Sequence, residues 1–462
     1  MTATPPASPG PHGVRPAALA VLDALERWAF RPGPAGAVAP PDLRARIAAI
    51  DVLPEEGEPF EAVLDDLGDR VLAHGVRPWD PACLAHLHAP TLPEAAAAEL
   101  AIGATNQSLD SYDQAPAATL LEDHLVRWLA GHLGLPPTAS GVLTAGGTAS
   151  NLLGLLLARD HAAGPGEPAV ADHGLPPEAT GWRIVASADA HFSVARAAAV
   201  LGLGRSAVVP VRVGDEGGID VAALDRTLDD LDRAGRRVIA LVGTAGTTDR
   251  GAVDPLPALA DRAAARGAWF HVDAAVGVAF AFSDRLRPRL AGLERADSVT
   301  ADLHKLCWQP IGASVLLAAD GRRLGVVRHP SDYLDRPDDD PLDPDDPLGD
   351  GDGTGGGAGG AVPCNLVARS LDTSRRFDAL KVVASLRTLG RRRLGAGVEH
   401  LVDTAAAVAG TITATPDLEL VVPPSSITVL FRWHPPGVAE ADLDAANAAI
   451  QRELFAQGLA VL

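Results

Sequence analysis

Lysine is nearly absent from this chain of 462 residues: of its 39 basic residues only Lys305 and Lys381 are lysines. Arginine replaces lysine in solvation and in most ion pairs, but its guanidinium stays protonated and cannot form an imine with an aldehyde. A retained lysine is therefore a candidate for amine chemistry, against the alternative that two survive by chance. Cysteine is almost as scarce. Cys83, Cys307 and Cys364 are well separated, which excludes a disulfide framework and a zinc spacing. No uninterrupted apolar run approaches the roughly 18 residues of a membrane helix. The Pro-, Ala- and Gly-rich start lacks the basic region and apolar core of a secretory signal, so the expectation is a cytoplasmic protein with no membrane partner. Positive charge is also in deficit. With 39 Lys plus Arg against 59 Asp plus Glu, the formal charge of −20 argues against nucleic acid and for a small-molecule substrate.

What is present is a chain long enough for one large α/β core and a smaller unit, since single cores stop growing at roughly 250–300 residues. From Ala17 to Val76 apolar residues recur at helical spacing, with Pro-rich breaks at 31–41 and 53–59, which predicts a helical N-terminal arm. Between Gly141 and Ala318 seven short apolar runs alternate with helical stretches: 141–143, 183–186, 207–213, 238–242, 268–272, 298–301 and 313–317. This alternation predicts a mostly parallel sheet covered on both faces, with ligands beyond the carboxyl ends of the strands. The acidic, Gly-rich stretch 335–361 has almost nothing to bury and is expected to be mobile. Ser370 to Leu394 is expected to be helical, followed by strands near 418–422 and 428–433 and the start of another at 458–462.

The chemistry gathers at the predicted strand ends. GVLTAGGTASN at 141–151 ends a strand in a Gly-Gly turn before Thr148, Ser150 and a helix from about Leu152, where backbone amides and hydroxyls make a phosphate site; Gly turns also end many strands that bind nothing. SADAHFS at 187–193 presents His191, which can stack on a flat heterocycle and orient a carboxylate, or else serve a purely structural role. GTAGTT at 243–248 places small residues and hydroxyls at another strand end. FHVDAA at 270–275 ends a strand on Asp273, a carboxylate suited to keeping a pyridinium nitrogen protonated, with two alanines leaving room for a flat ring. His271 and Asp273 share one strand face and form an alternative metal pair, but no third ligand is near. DSVTADLHKLCWQP at 297–310 puts His304 and Lys305 past the next strand. The 32 residues from Asp273 to Lys305 suit one crossover helix. Lys381, inside a predicted helix, is read as structural.

These motifs, together with APAATLLE at 115–122, resemble the group II pyridoxal-dependent amino-acid decarboxylases of the fold-type I, aspartate-aminotransferase-like class. The resemblance implies a seven-stranded, mostly parallel sheet and a division into a helical dimerisation arm (1–92), a large domain binding pyridoxal phosphate (93–363) and a small C-terminal α+β domain (364–462), which stops short of the family's usual end. It implies that Lys305 holds the cofactor as a Schiff base, that Asp273 binds the pyridine nitrogen and that His191 stacks on the ring. Thr248 and Ala275 would lie against the ring, Ala149, Ser150 and Asp302 around the phosphate, and His304 beside the lysine. Tyr333, in SDYLD, resembles the loop tyrosine that returns a proton after carbon dioxide departs, and the partner subunit of a homodimer would offer it. Its presence favours decarboxylation over the oxidative, aldehyde-forming variant.

AHLHAP at 85–90 and NQSLDSYDQAPAAT at 106–119 resemble the branch that acts on 2,4-diaminobutyrate or, in siderophore pathways, on lysine. The resemblance makes His86, His88 and Asp110 candidate substrate contacts, Asp110 standing where aromatic-amino-acid decarboxylases carry an aromatic side chain. A carboxylate there favours a substrate with a distal ammonium; a helix cap or surface ion pair is the competing role. Val276, Gly277 and Val278 depart from the aromatic residue and two glycines usual after HVDAA, and the loop after Tyr333 is longer and more acidic than usual. The reading is a diamine-forming carboxy-lyase. Its rivals are glutamate or aromatic decarboxylation, transamination, and a non-catalytic paralogue that binds the cofactor or a partner.

Overall fold

The computed structural model describes residues 13–29, 32–36, 39–164, 170–329, 334 and 365–462. Tyr333, Cys364 and the loop 335–361 lie outside the described residues. The arm carries α1 (Val14–Ala29), α2 (Pro40–Ala48) and α3 (Phe60–Arg70), separated where the Pro-rich breaks predict. Next come α4 (Pro93–Thr105) and α5 (Pro116–Leu133), each with Pro at its first position, where the missing N–H costs nothing, and ended by Asn106 and Gly134 in the left-handed region.

The seven predicted apolar runs form seven strands: β1 (Ser140–Thr144), β2 (Trp182–Ser187), β3 (Val208–Val211), β4 (Arg237–Thr244), β5 (Trp269–Asp273), β6 (Ser298–Asp302) and β7 (Ser314–Ala318). They make one sheet in the order β1-β7-β6-β5-β4-β2-β3. All adjacent pairs are parallel except those of β7, which runs antiparallel to β1 and β6. Between strands lie α6 (Gly147–Ala163), α7 (Val170–His173), α8 (Ser193–Val200), α9 (Val221–Arg233) and α10 (Leu256–Arg266). The Asp220 side chain caps α9 by accepting from Ala223 N at 2.8 Å. The β5-to-β6 link differs from expectation: short 3-10 turns between Gly277 and Arg295 replace the crossover helix. That stretch is apolar and almost wholly buried from Val276 to Phe282, so it packs as core and has no solvent face for a helix to present.

Two cores flank the sheet. Phe270 and Val272 of β5 join α5, α9, α10 and α11 (Ala379–Ala414) on one side, while Trp269 joins α6 and α8 on the other. His271 shares the Trp269 face, where α6 passes over it. A Cβ at Gly154 would lie 2.7 Å from the His271 ring, so only glycine fits there. The small unit consists of α11, a hairpin of β8 (Leu418–Val422) and β9 (Leu430–Trp433), and α12 (Glu440–Ala456). At 458–462 the expected strand reduces to a single parallel bridge between Val461 and Cys83.

α11 begins nine residues later than the sequence suggests, because the stretch before it is held extended: Ser108 bridges Arg376, and Leu109 N donates to Arg375 O at 3.0 Å. Arg375 forms a buried ion pair with Glu122, whose Oε1 also accepts from Leu143 N at 3.1 Å, tying α5 to β1. Lys381 therefore sits in the first turn of α11 and not at its middle. Its side chain is fully buried, with Nζ 2.6 Å from Glu99 Oε1 and 2.9 Å from Asp378 Oδ1. Removing one partner of such a pair strands the others. Lys381→Ala is expected to destabilise the protein by roughly 3 kcal/mol, seen as a lower denaturant midpoint, with cofactor binding by the folded fraction unchanged.

Candidate active site

A cavity of about 600 Å³ opens at the carboxyl ends of β1, β4, β5 and β6, lined by Ala149, His191, Thr248, Asp273, Ala275, Asp302, His304 and Lys305 among others. The parallel register brings these distant residues together. Thr244 at the end of β4 pairs with Asp273 at the end of β5, which pairs with Thr300 of β6. β6 then ends on Asp302, and Lys305 follows in the turn.

Lys305 Nζ lies 3.0 Å from Asp302 Oδ2, and His304 Nε2 lies 3.8 Å from the same oxygen. Asp302 is 2% exposed and its Oδ1 has no hydrogen-bond partner. A Cβ at Gly147 would come within 2.9 Å of Asp302 Oδ2, so this carboxylate is pressed against the start of α6. Asp273 is buried: Oδ2 accepts from Asn151 Nδ2 at 2.8 Å and Oδ1 from Ala275 N at 3.1 Å. His191 is held by Ser193, whose Oγ lies 2.8 Å and whose backbone N lies 3.3 Å from Nδ1. Burial pulls its ionisation down, opposed by the charge of Asp273. At the root of the β4 loop, Asp254 accepts from Thr244 N at 2.7 Å and Ile219 N at 2.8 Å, and burial pushes it up to about 6.

This donor set fits pyridoxal phosphate. A primary amine faces the cavity, a buried carboxylate stands on one wall, and the imidazole of His191 and the small side chain of Ala275 leave space for a planar ring. The start of α6 has no side-chain cap, and while the Ala149 and Ser150 amides donate to Gly146 O at 2.9 and 3.1 Å, those of Gly147 and Thr148 in the lining are left for a phosphate. The Thr244 hydroxyl, in the lining, is buried and unpartnered. The alternative reading of His271 and Asp273 as metal ligands finds no support: among the described residues no cluster of three or more potential ligands exists.

Other predicted residues fall elsewhere. Ser150 is outside the lining, its hydroxyl 2.7 Å from Thr144 Oγ1 and 3.0 Å from Ser314 Oγ. Asp110 is half-buried away from the cavity, with Oδ1 accepting from its neighbour Ser111 N at 2.9 Å. His86 and His88 are exposed, His86 with a positive φ of 67°. Asn365 links the Asp110 segment to the residue after Tyr333, since its Oδ1 accepts from Tyr112 N at 2.7 Å and its Nδ2 donates to Leu334 O at 2.9 Å. Sequence reasoning missed Asn151. The residue was in the quoted motif, but α6 starts at Gly147 and not near Leu152, which turns Asn151 from a loop residue into one fixed over β5.

The profile of the Pyridoxal-dependent decarboxylase conserved domain matches residues 41–345. The chain is 40% identical to L-2,4-diaminobutyrate decarboxylase of Rhizobium meliloti (strain 1021), across 91% of this chain and 78% of that protein. To the protein of the same name from Acinetobacter baumannii it is 38% identical, across 87% of this chain and 77% of that one. Among solved structures it is similar to the glutamate decarboxylase domain of diaminobutyrate-pyruvate transaminase and L-2,4-diaminobutyrate decarboxylase from Vibrio parahaemolyticus, with a TM-score of 0.84, 34% identity, and coverage of 98% of this chain and 87% of that one. Sequence, fold and the contents of the cavity agree, and the chain belongs to the pyridoxal-dependent decarboxylases, carboxy-lyases whose cofactor is pyridoxal phosphate.

Proposed function

We propose that the protein decarboxylates an L-diamino acid, with 2,4-diaminobutyrate the first substrate to test and ornithine and lysine next, releasing carbon dioxide and a diamine. The observation that carries this reading is the match, across about nine-tenths of the chain, to enzymes named for 2,4-diaminobutyrate, in a protein whose cavity holds the amine and carboxylate that the cofactor needs. When bound, the cofactor supplies a conjugated ring that takes up the electron pair left as carbon dioxide departs. Lys305 would hold it through Nζ and yield that place to the substrate's amine. Asp273 would keep the ring nitrogen protonated, and His191 would cover the ring and orient the carboxylate that leaves. Tyr333 would return a proton to Cα.

The substrate's distal ammonium needs a carboxylate, and Asp110, with His86 and His88, is assigned to that side. None of the three lines the cavity of the single chain. The reading is therefore completed by a homodimer in which a second copy closes the substrate side. Exposed Leu19, Leu22 and Leu25 on α1 supply apolar surface for it. Among the described residues no helix is long and apolar enough to cross a membrane. A cytoplasmic enzyme supplying a diamine, as in siderophore assembly, is the setting we infer.

Purified protein is expected to evolve carbon dioxide and the matching diamine from at least one of the three diamino acids, with glutamate and aromatic amino acids poorer in kcat/KM; keto-acid formation in place of carbon dioxide contradicts the assignment. Lys305→Arg keeps the charge opposite Asp302 but removes the primary amine. Its activity should fall by about four orders of magnitude, with loss of the visible absorbance of the bound cofactor. Asp110→Asn should raise KM for the diamino acid about tenfold, equivalent to about 1.4 kcal/mol, while KM for a monoamino substrate stays level; equal effects on both would remove Asp110 from the substrate side.

A further inference from the structure

Behind the cavity wall runs an unbroken series of buried polar side chains. Trp269 Nε1 lies 2.7 Å from Ser298 Oγ, and Ser298 Oγ lies 2.8 Å from His271 Nδ1. His271 Nε2 lies 2.9 Å from Asn151 Oδ1. The Asn151 Nδ2 is 2.8 Å from both Asp273 Oδ2 and Ser193 Oγ, and Ser193 Oγ is 2.8 Å from His191 Nδ1. His271, Ser298 and Ser193 are fully buried and Asn151 is 1% exposed.

The directions of the hydrogens follow from the ionised carboxylate at one end and the unprotonated Nδ1 of each histidine. An ionised carboxylate only accepts, so the Asn151 atom facing Asp273 is the amide nitrogen, and its two hydrogens go to Asp273 and Ser193. Oδ1 then only accepts, which requires a proton on His271 Nε2. The Ser298 hydroxyl takes the indole N–H and gives its own hydrogen to His271 Nδ1. This assignment holds because burial, working against the charge of Asp273, keeps His271 neutral by pushing it down to about 4, so that with its one proton on Nε2 the Nδ1 accepts. On the other branch the Ser193 backbone N–H donates to His191 Nδ1 at 3.3 Å, so that nitrogen carries no proton and accepts from the Ser193 hydroxyl as well. His191 is left neutral with its proton on Nε2. Reversing the Asn151 amide would break its bonds to Asp273 and His271 and set oxygen against oxygen at Asp273.

We propose that Asn151 is the positioning residue of this site: it divides one buried hydrogen-bond chain between Asp273 and His191, fixing the first as an ionised acceptor and the second as a neutral Nε2–H donor. The consequence is chemical. A neutral donor orients a substrate carboxylate, whereas an imidazolium would stabilise the very charge that must leave as carbon dioxide. The proposal rests on the reading of the cavity as the cofactor site, with Asp273 at the ring nitrogen.

The test titrates apo-protein with pyridoxal phosphate and records the Kd, the absorption spectrum of the bound cofactor and steady-state kinetics. Asn151→Leu should raise Kd at least about tenfold, because it leaves buried groups unpaired on both branches, and should change the ratio of the cofactor's absorption bands. Ser193→Ala cuts only the His191 branch, so its Kd should stay within about twofold while kcat falls and its pH profile shifts. A folded Asn151→Leu protein with wild-type Kd, spectrum and kcat overturns the proposal. Should Asn151→Leu not fold, His271→Gln, which keeps a donor toward Asn151, is compared with His271→Leu, which has none. The glutamine variant should bind the cofactor at least about fivefold more tightly than the leucine variant, and equal binding overturns the proposal. Wild-type protein that binds no pyridoxal phosphate would instead remove the cofactor reading on which the proposal stands.

Discussion

The buried charge of Asp273 is the constraint around which the site is organised. A carboxylate that is 6% exposed at the end of a fully buried strand costs several kcal/mol unless its oxygens are satisfied. Among the described residues its side chain meets one side-chain amide and one backbone N–H, and no cation in hydrogen-bond contact. That leaves a carboxylate whose remaining affinity is for a positive partner inside the cavity, which a protonated ring nitrogen would supply in the proposed role. Neutral partners suit this better than an arginine would, since a guanidinium would satisfy the carboxylate outright and leave nothing for the cofactor.

The scaffold follows from that need. Asp273 and His271 are two residues apart, so both face α6, while Phe270 and Val272 enter the apolar core on the other side. For α6 to bring Asn151 to the carboxylate it must pass directly over the His271 ring, and Gly154, one turn along from Asn151, is what lets it. A strand alternating apolar and polar faces, a glycine at the crossing and an uncapped helix start at Gly147 are therefore three parts of one arrangement. In the proposed role the same helix would offer its first amides to the phosphate end and its Asn151 to the ring end. Its position fixes the distance between them.

Strands and strand-end residues were legible in the sequence because each apolar run is short, buried and bounded by glycine or a polar cluster, and a parallel sheet delivers its carboxyl ends to one edge. That Lys305, Asp273 and His191 meet at one cavity follows from this arrangement. What stayed hidden depends on exact boundaries or on partners far along the chain. A helix start misplaced by five residues concealed Asn151. The extended stretch before α11 looked helical because nothing local announces that Arg375 and Arg376 will be drawn onto Glu122 and Glu99, over 250 residues earlier. The 3-10 turns after β5 are not legible in the sequence, because spacing alone does not tell a buried apolar connection from a crossover helix. Asp110, His86 and His88, named as substrate contacts from the resemblance, do not line the cavity of this chain.

The two lysines now separate by physics. Lys305 is partly exposed to the cavity, its Nζ near a carboxylate at one side and open space at the other, which is where a nucleophilic amine must be. Lys381 has no exposure at all, and its ammonium is divided between Glu99 and Asp378. Arginine is excluded from both positions for different reasons. At 305 it cannot form the imine that the proposed role requires. At 381 the planar guanidinium would need more room than a compact ammonium at the end of a slender stem, in a spot where Arg376 already occupies the other side of Glu99. Scarcity of lysine thus marks two sites where arginine fails, one by chemistry and one by size, and only the surroundings of each reveal which is which.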